Sequence, residues 1–375
     1  MNPPPISPRL IERPDWRNNM AALSFLSPAI EREYRAMAPA RTAAPMPADL
    51  SIKVLGIDIP VDAGVPESVC LPIPAGYLHP TTGKAREQHK RVALAVKKGR
   101  KVFVSGPPGT GKDALFHALS YKLGLPAEIR TFNPNVDVNH WFYSREIGEK
   151  GTSWSYSNLW RALTEGYTGA DGITRPYMIV FSDIDRATPE QLEAFRLLLD
   201  TTSGRITGPT GDVATILPGT RFCFTANSVG MGDATGRMSS QAMDASMLDR
   251  MGRFVEFDYM SWTDETAILT GKFPTVVEAV PGLLKQLGGA VKAVRDAIKS
   301  GSLYAELTHR GICEILMECE DLLDEADGSV PANLLRKGMN AWLCRLGEQK
   351  LVAKSLCDAA IKGGVVACDD EEESE

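Results

Sequence analysis

Residues 106–113 read Gly-Pro-Pro-Gly-Thr-Gly-Lys-Asp, a composition and spacing typical of a phosphate-binding loop. An apolar run at 102–104 precedes this loop, and a helix-like segment at 114–119 follows it. Glycines let successive backbone N–H groups point at one centre, and the start of a helix adds the positive end of its dipole. We therefore predict a polyphosphate site formed by Gly106, Pro107, Pro108, Gly109, Thr110, Gly111, Lys112, Asp113 and Ala114. In this site Lys112 would reach the β- and γ-phosphates, and the flanking strand and helix argue against a plain glycine-rich turn.

Hydrolysis of a bound nucleotide needs a metal ligand and a group that orients water. Both usually follow an apolar strand, and the candidate segment is 180–185, Val-Phe-Ser-Asp-Ile-Asp. Asp113 occupies the loop position at which Ser or Thr usually binds Mg²⁺. Ser182 occupies the strand position at which Asp is expected, and Asp183 stands where a catalytic Glu is expected. The loop thus has a carboxylate where a hydroxyl is usual, and the strand has a hydroxyl where a carboxylate is usual.

Two interpretations of these departures remain open. In the first, the positions have exchanged roles, so that Asp113 binds Mg²⁺ directly and Ser182 lies in the outer coordination sphere. The site then keeps a carboxylate and a hydroxyl near the metal. Asp183 would orient the attacking water, less effectively than Glu because its side chain is one methylene shorter. In the second interpretation the ligands have been lost and hydrolysis is weak or absent. The predicted magnesium site comprises Asp113, Ser182 and Asp183.

Four further polar residues could act on a nucleotide. Asn227 ends the apolar run 222–227 and could contact the γ-phosphate and the attacking water, although an Asn that caps a turn is the alternative. Arg250 and Arg253 lie in the segment 246–254, and an arginine beside a neighbouring subunit's γ-phosphate would stabilise transition-state charge. A surface ion pair is the alternative for each arginine. Arg310 begins a predicted helix and could reach the nucleotide.

The elements that position these residues alternate between strand and helix from 100 to 260. This alternation predicts an α/β core, a P-loop NTPase type of parallel sheet with helices on both faces. The predicted core strands are 101–105, 127–132, 177–182 and 220–226. A capping-box pattern at 188–191 predicts a helix over 190–199, and 204–217 has the pattern of a hairpin.

Segments of different character flank this core. Residues 1–50 are rich in proline and predict an extended or disordered arm. Residues 51–99 form a lead-in with a strand at 52–59 and an amphipathic helix at 87–98. Residues 261–362 have helical periodicity and predict a small all-helical lid domain, before an acidic tail at 363–375. The predicted lid helices are 263–270, 276–287, 290–299, 307–325, 332–346 and 351–361.

Composition restricts the class of protein. The chain has 375 residues and a formal net charge of −6, and without the acidic tail it is near neutral. No basic block favours a nucleic-acid partner, and no apolar run is long enough to span a bilayer. The start of the chain shows no export signal, and its seven cysteines include no C-x-x-C pair. We therefore expect a cytoplasmic protein with reduced thiols and neither zinc nor a membrane as a partner.

Taken together, these residues resemble the AAA+ ATPases, and within them the MoxR branch. The nearest resemblance is to the small ATPase subunit of aerobic cobaltochelatase, the CobS type. The resemblance covers about 52–260 and is carried by 55–58, 106–113, 180–185, 224–236 and 247–250. The run 224–236, Phe-Thr-Ala-Asn-Ser-Val-Gly-Met-Gly-Asp-Ala-Thr-Gly, is the most specific of these stretches. The helical lid resembles the lid of the family only in being helical.

The resemblance implies roles for the residues singled out above. Residues 106–113 would be the Walker A motif, and Ser182 with Asp183 the Walker B motif. Asn227 would be sensor 1, Arg250 the arginine finger and Arg310 sensor 2. It also implies ATP and Mg²⁺ as cofactors at the subunit boundaries of a hexameric ring. Partners in this branch usually carry a von Willebrand A domain, and a cobaltochelatase adds a large chelating subunit.

Three hypotheses follow from the sequence. The first is a ring-forming ATPase that remodels a partner protein, within a metal-chelatase type of complex or with another client. The second is a nucleotide-binding structural or regulatory ring with weak or no hydrolysis. The third, a DNA-handling motor, is disfavoured by the charge balance. Pore-facing candidates for a motor are the aromatic run 141–143 and the hairpin 204–217, with ordinary packing as the alternative.

Overall fold

The computed structural model describes residues 51–148, 151–196, 198–200, 204–228, 242–327 and 329–361. The predicted N-terminal arm, the acidic tail and most of the family-like run 224–236 lie outside these residues. No helix within the described ranges is both long enough and apolar enough to cross a membrane.

The described chain contains strands and helices that we number in chain order. The strands are β1 Ser51–Val54, β2 Ile57–Pro60, β3 Val102–Ser105, β4 Ala127–Thr131, β5 Tyr143–Gly148, β6 Gly151–Tyr156, β7 Tyr167–Thr168, β8 Thr174–Arg175, β9 Met178–Ser182, β10 Arg205–Thr207, β11 Val213–Thr215, β12 Arg221–Ala226 and β13 Arg253–Glu256. The helices are α1 Gly83–Lys97, α2 Lys112–Leu123, α3 Asn158–Thr164, α4 Pro189–Glu193, α5 Ala245–Arg250, α6 Trp262–Lys272, α7 Pro274–Ala279, α8 Leu283–Lys299, α9 His309–Glu325, α10 Leu334–Leu343 and α11 Lys350–Ala360.

The central sheet has the strand order β13-β3-β12-β9-β4. The pairs β12–β3, β12–β9 and β4–β9 are parallel. Strands β3 and β9 are buried along their whole length, as continuous apolar runs are in parallel sheets. The four predicted core strands are confirmed to within one residue at each end. The predicted α/β core with a parallel sheet, and the helical region after it, are both present.

By internal packing the chain divides into two compact units, the first of which comprises 51–73, 90–105 and 115–255 of the described chain. Its core is a cluster of aromatic and aliphatic side chains on the sheet. Phe142 is 4% exposed, and the ring of Trp141 packs edge-on against Phe132 at 4.9 Å. Ordinary packing therefore accounts for these two residues of the aromatic run that was proposed to face a pore. Tyr143 instead starts the β5–β6 hairpin.

Two predicted elements of the first unit differ from the structure. The segment 52–59 is not one strand but the hairpin β1–β2, because Leu55 and Gly56 both have positive φ and form a tight turn. Helix α4 keeps the capping box of Thr188 and Gln191 but ends at Glu193. Phe195, Leu198 and Leu199, which follow it, are buried in turns. The hairpin β10–β11 is confirmed, whereas the hairpins β5–β6 and β7–β8 were not predicted.

The second unit comprises 74–89, 106–114 and 256–361 of the described chain, so it contains the glycine-rich loop as well as helices α6 to α11. Helix α9 shows why the helices pack: Ile312, Ile315, Leu316 and Cys319 are fully buried on one face at helical spacing. The predicted helix 276–287 is wrong, because the chain between α7 and α8 turns at Pro281 and Gly282. Proline lacks the N–H that would continue α7.

Candidate nucleotide-binding site

The glycine-rich loop has the backbone that its sequence predicts. Gly106, Gly109 and Gly111 have φ values of 147°, 76° and 82°, which L side chains rarely adopt. A Cβ on Gly106 would overlap the carbonyl of Phe257, and one on Gly109 would come within 2.7 Å of the Thr308 Cβ. The loop follows directly on β3, and α2 begins at Lys112. The predicted succession of strand, loop and helix is confirmed.

Lys112 lies inside the curve of the loop. Its side chain is buried, and Nζ donates to the carbonyls of Gly106 at 2.8 Å and Pro107 at 3.0 Å. Thr110 donates from Oγ1 to the same Pro107 carbonyl at 2.9 Å. A buried ammonium group needs such partners, and phosphate oxygens could replace the carbonyls. A cation beside the start of a helix therefore fits a polyphosphate.

Asp113 stands in the first turn of α2. The position is favourable for a carboxylate, because the helix dipole is positive at this end. Carboxylate and hydroxyl oxygens are hard ligands of the kind Mg²⁺ accepts beside phosphate oxygens. The described residues contain no group of three or more His, Cys, Asp or Glu side chains placed to hold a metal. A metal here would therefore depend on the oxygens of the nucleotide.

Ser182 ends β9, and its hydroxyl is engaged by the neighbouring strand. It is 3% exposed, and Thr225 donates from Oγ1 to its Oγ at 3.2 Å. The same Thr225 oxygen accepts from the backbone N–H of Asp183 at 3.3 Å. Thr225 was not among the predicted site residues, although it precedes Asn227 by only two positions in the strand. It joins the two segments that carry the predicted polar residues.

Asp183 has a left-handed backbone, with φ 53° and ψ 41°. This conformation costs roughly 1–2 kcal/mol for a residue with a side chain, and Asp and Asn tolerate it best. Its carboxylate accepts from Asn227 Nδ2 at 3.5 Å and lies 4.0 Å from Nη1 of Arg186. The predicted pair of Asp183 and Asn227 is thus brought together at the end of the sheet. Unusual backbone conformations of this kind concentrate at functional sites.

Asp185 was missed as a site residue and organises the turn after β12. It is 1% exposed, and its Oδ2 atom accepts from the backbone N–H groups of Asn227 at 3.1 Å and Ser228 at 3.0 Å. The available signal was a second acid two positions after Asp183 in a strongly apolar context. Asp185 fixes the backbone from which the Asn227 side chain extends.

Replacing Asp185 by Ala should remove the acceptor for both N–H groups. We expect the free energy of unfolding to fall by about 3–6 kcal/mol, because Asp185 accepts two hydrogen bonds and bonds to a charged group contribute about 1.5–3 kcal/mol each. Urea denaturation of the full chain measures the change. Asp185→Asn is the matched control, since it keeps one oxygen in place and should lose less. A loss below about 1 kcal/mol for Asp185→Ala would contradict the anchoring role.

Strands β3, β9 and β12, which lead into the predicted site residues, end at the same edge of the sheet. Within the first unit, Ser105 at the end of β3 pairs with Ala226, and Ser182 at the end of β9 pairs with Thr131. The loop starts at the residue after Ser105, and Asn227 is the residue after Ala226. Ligands of open α/β sheets bind at this carboxyl edge.

The three predicted arginines have different surroundings. Arg250 ends α5, and its Nη1 atom donates to the Ser246 carbonyl at 2.6 Å, so the side chain folds back on its own helix. Arg253 is exposed in β13. Arg310 is exposed in the first turn of α9, in the second unit. His117 on α2 donates from Nδ1 to the Pro72 carbonyl at 2.8 Å.

Comparison with known proteins shows what the part of the chain that carries this site is similar to. Residues 101–251 match the family model described as the AAA domain of the dynein-related subfamily. No curated protein matches the sequence. Among solved structures, the Thermotoga maritima RuvB Holliday junction branch migration motor is 14% identical, with a TM-score of 0.43 and 69% of each chain covered. A putative ATPase from Cytophaga hutchinsonii is 10% identical, with a TM-score of 0.35, 68% of this chain covered and 79% of the other. Residues 101–251 are therefore similar to an AAA domain.

Proposed function

We propose that the protein is a Mg²⁺-dependent ATPase, because residues 101–251 are similar to an AAA domain. The observation that carries this proposal is the position of Lys112. Its buried ammonium group lies inside a loop with three positive-φ glycines, at the start of a helix. This arrangement suits a polyphosphate better than any other common ligand, since it combines a fixed cation, backbone N–H donors and a helix dipole.

Hydrolysis would transfer the γ-phosphoryl group to water. The water oxygen forms the new bond to phosphorus, the bond to the β–γ bridging oxygen breaks, and ADP and phosphate leave. Asp183 would accept a hydrogen bond from this water, with Asn227 holding the carboxylate in place. Lys112 would neutralise charge on the β- and γ-phosphates.

The metal would be held by Asp113 in the exchanged arrangement, with the Ser182 hydroxyl in the outer coordination sphere. A bound Mg²⁺ would supply charge neutralisation at the phosphates. The carboxylate at the start of α2 and the buried hydroxyl at the end of β9 are the oxygen donors that this arrangement needs. ATP and Mg²⁺ thus remain the proposed cofactors.

A second candidate is a nucleotide-binding structural or regulatory ring with weak or no hydrolysis. The observation in its favour is Ser182, because a hydroxyl bonded to Thr225 replaces the carboxylate expected at the end of β9. Asp183 is also shorter than the expected Glu. These two changes weaken metal binding and water activation without affecting the loop.

The assembly and the client form the finer part of the proposal and come from the resemblance to the MoxR branch and the CobS type. We propose a hexameric ring in which Arg250 acts as an arginine finger on the neighbouring subunit's nucleotide and Arg310 as sensor 2. The client would be a protein with a von Willebrand A domain, within a chelatase-type complex or another assembly. Nucleic acid and membranes are not proposed as partners.

Steady-state ATP hydrolysis with Mg²⁺ tests the proposal. Lys112→Ala should lower kcat/KM at least about 100-fold, which corresponds to about 2.7 kcal/mol of transition-state stabilisation. Lys122→Ala, in the last turn of the same helix α2, is the matched control and should keep wild-type activity. ATP binding without turnover in the wild type would favour the structural ring. Absence of ATP binding would contradict both candidates.

A further inference from the structure

The phosphate loop makes a hydrogen bond with an aromatic residue far along the sequence. Tyr259 donates from its hydroxyl to the Pro108 carbonyl at 3.1 Å. Burial raises the pKa of Tyr259 to about 12, so the hydroxyl stays protonated and remains a donor at neutral pH. The neighbouring Phe257 lies against Gly106, because a Cβ on that glycine would overlap the Phe257 carbonyl. Gly106 and Pro108 of the loop therefore both contact the short segment 257–259 of the second unit.

Arg295 on α8 fixes the ring of Tyr259. Its Cζ atom lies 3.9 Å from the centre of the ring, a cation–π contact. Its Nη1 and Nη2 atoms donate to the two carboxylate oxygens of Glu265 at 2.9 and 3.1 Å, and its Nε donates to the Leu307 carbonyl at 3.3 Å. A bidentate pair holds the plane of the guanidinium group. The face of that plane in turn restricts where the tyrosine ring can lie.

Glu265 extends the network to the start of α9. It is 1% exposed, and its Oε1 atom lies 3.1 Å from Nδ1 of His309. Burial alone would raise the pKa of Glu265, but hydrogen bonds from His309 and Arg295 outweigh it and hold the pKa below its usual value. Burial would likewise lower the pKa of His309, but contacts with Cys313 and Glu265 raise it to about 9. At neutral pH the network therefore contains two cations and one anion.

The network returns to the loop at a second point. The backbone nitrogen of His309 lies 3.2 Å from where a Cβ on Gly109 would stand. The loop thus meets this group of residues at Pro108, through Tyr259, and at Gly109, through His309. Arg310 follows His309 directly, so the same contacts fix the backbone from which its side chain extends.

We propose that Tyr259 is a positioning residue of the nucleotide site, held in place by Arg295, Glu265 and His309. Its hydroxyl keeps the Pro108 carbonyl turned away from the bound phosphates, so that the loop presents N–H groups rather than an oxygen. The inference rests on the proposed function, since the loop must bind a polyphosphate. The role needs the hydroxyl and not only the ring, which makes it testable by the removal of one oxygen atom.

Tyr259→Phe should weaken the binding of ATP about 3- to 10-fold, because it removes one hydrogen bond while the ring and the Arg295 contact stay. A fluorescent ATP analogue measures the affinity in the full chain. Hydrogen exchange of the backbone N–H groups at 109–112, measured without nucleotide, should become faster. The melting temperature should stay unchanged, which separates positioning from a general loss of stability. Tyr304 is an exposed tyrosine in the same unit, and Tyr304→Phe is the matched control. It should change neither the ATP affinity nor the hydrogen exchange at 109–112.

A double-mutant cycle tests the role assigned to Arg295. Arg295→Lys should weaken ATP binding in the wild type and add little in Tyr259→Phe, because both act through the same hydrogen bond. Glu265→Gln serves in its place if Arg295→Lys fails to fold. Additive effects, or unchanged ATP affinity in Tyr259→Phe, would overturn the proposal. If the wild type binds no ATP, the proposed function is wrong, but the role of Tyr259 can still be tested. Faster hydrogen exchange at 109–112 in Tyr259→Phe would support the positioning role, and unchanged exchange would overturn it.

Discussion

Replacing Asp113 by Ala should lower kcat for ATP hydrolysis about 100-fold or more, although this position usually carries a hydroxyl. If the roles are exchanged, the loop binds the metal directly through the carboxylate of Asp113. A direct metal contact contributes several kcal/mol to transition-state stabilisation. The measurement is steady-state turnover over a range of Mg²⁺ concentrations. The variant should need more Mg²⁺ as well as turn over more slowly, because a lost ligand weakens both metal binding and charge neutralisation.

A double substitution separates exchange from loss of function. Asp113→Thr and Ser182→Asp should each lose most of the activity, because one leaves no carboxylate and the other places two beside the phosphates. Together they restore the usual arrangement of hydroxyl and carboxylate and should keep at least the wild-type rate. Effects that simply add would contradict exchange. A double variant that gains turnover from an inactive wild type would instead show that hydrolysis had been lost.

Arg250→Ala should lower kcat about 1,000-fold while the affinity for ATP stays close to that of the wild type, if Arg250 acts on a neighbouring subunit's nucleotide. The matched control is Arg253→Ala, an exposed arginine three positions away, which should keep its activity. In the subunit itself Arg250 is bonded to Ser246 on its own helix. The side chain must therefore leave this carbonyl to reach another subunit.

Mixing two inactive variants tests whether Arg250 acts between subunits. Lys112→Ala subunits have an intact Arg250, and Arg250→Ala subunits have an intact phosphate loop. Where the first type supplies its arginine to the second, a complete site forms, so mixed rings should recover part of the activity. Mixtures that stay as inactive as the separate variants would show that Arg250 acts only within its own subunit.

The sequence predicted those parts of the fold that depend on local patterns. The run Met178–Ser182 is entirely apolar apart from its last residue, and it is a fully buried strand. The glycines of the loop were predicted from their spacing, and each has the positive φ that its role requires. The pattern at 52–59 predicts a single strand because the turn of the hairpin at 51–60 is Leu-Gly, whereas Asn-Gly or Asp-Gly is the usual turn signal.

Contacts between distant segments left no such signal. Thr225 bonds to Ser182 across two strands that are 43 positions apart, and Tyr259 bonds to Pro108 across 151 positions. Neither residue type is rare, and neither belongs to a motif. Only the folded arrangement shows that Asp185 holds the turn at Asn227. Single-residue patterns therefore located the catalytic candidates but not the residues that hold them in place.

The loop's dependence on Thr308 and His309 has a consequence for synthesis on the ribosome. Lys112 is translated long before these residues, with 197 positions between Lys112 and His309. At about 5–20 residues per second, this interval lasts roughly 10–40 s, and domains generally fold as they emerge. During that time the loop lacks the backbone against which Gly109 packs. A nascent chain thus completes its phosphate site only when most of the protein has been made, which delays nucleotide capture by incomplete chains.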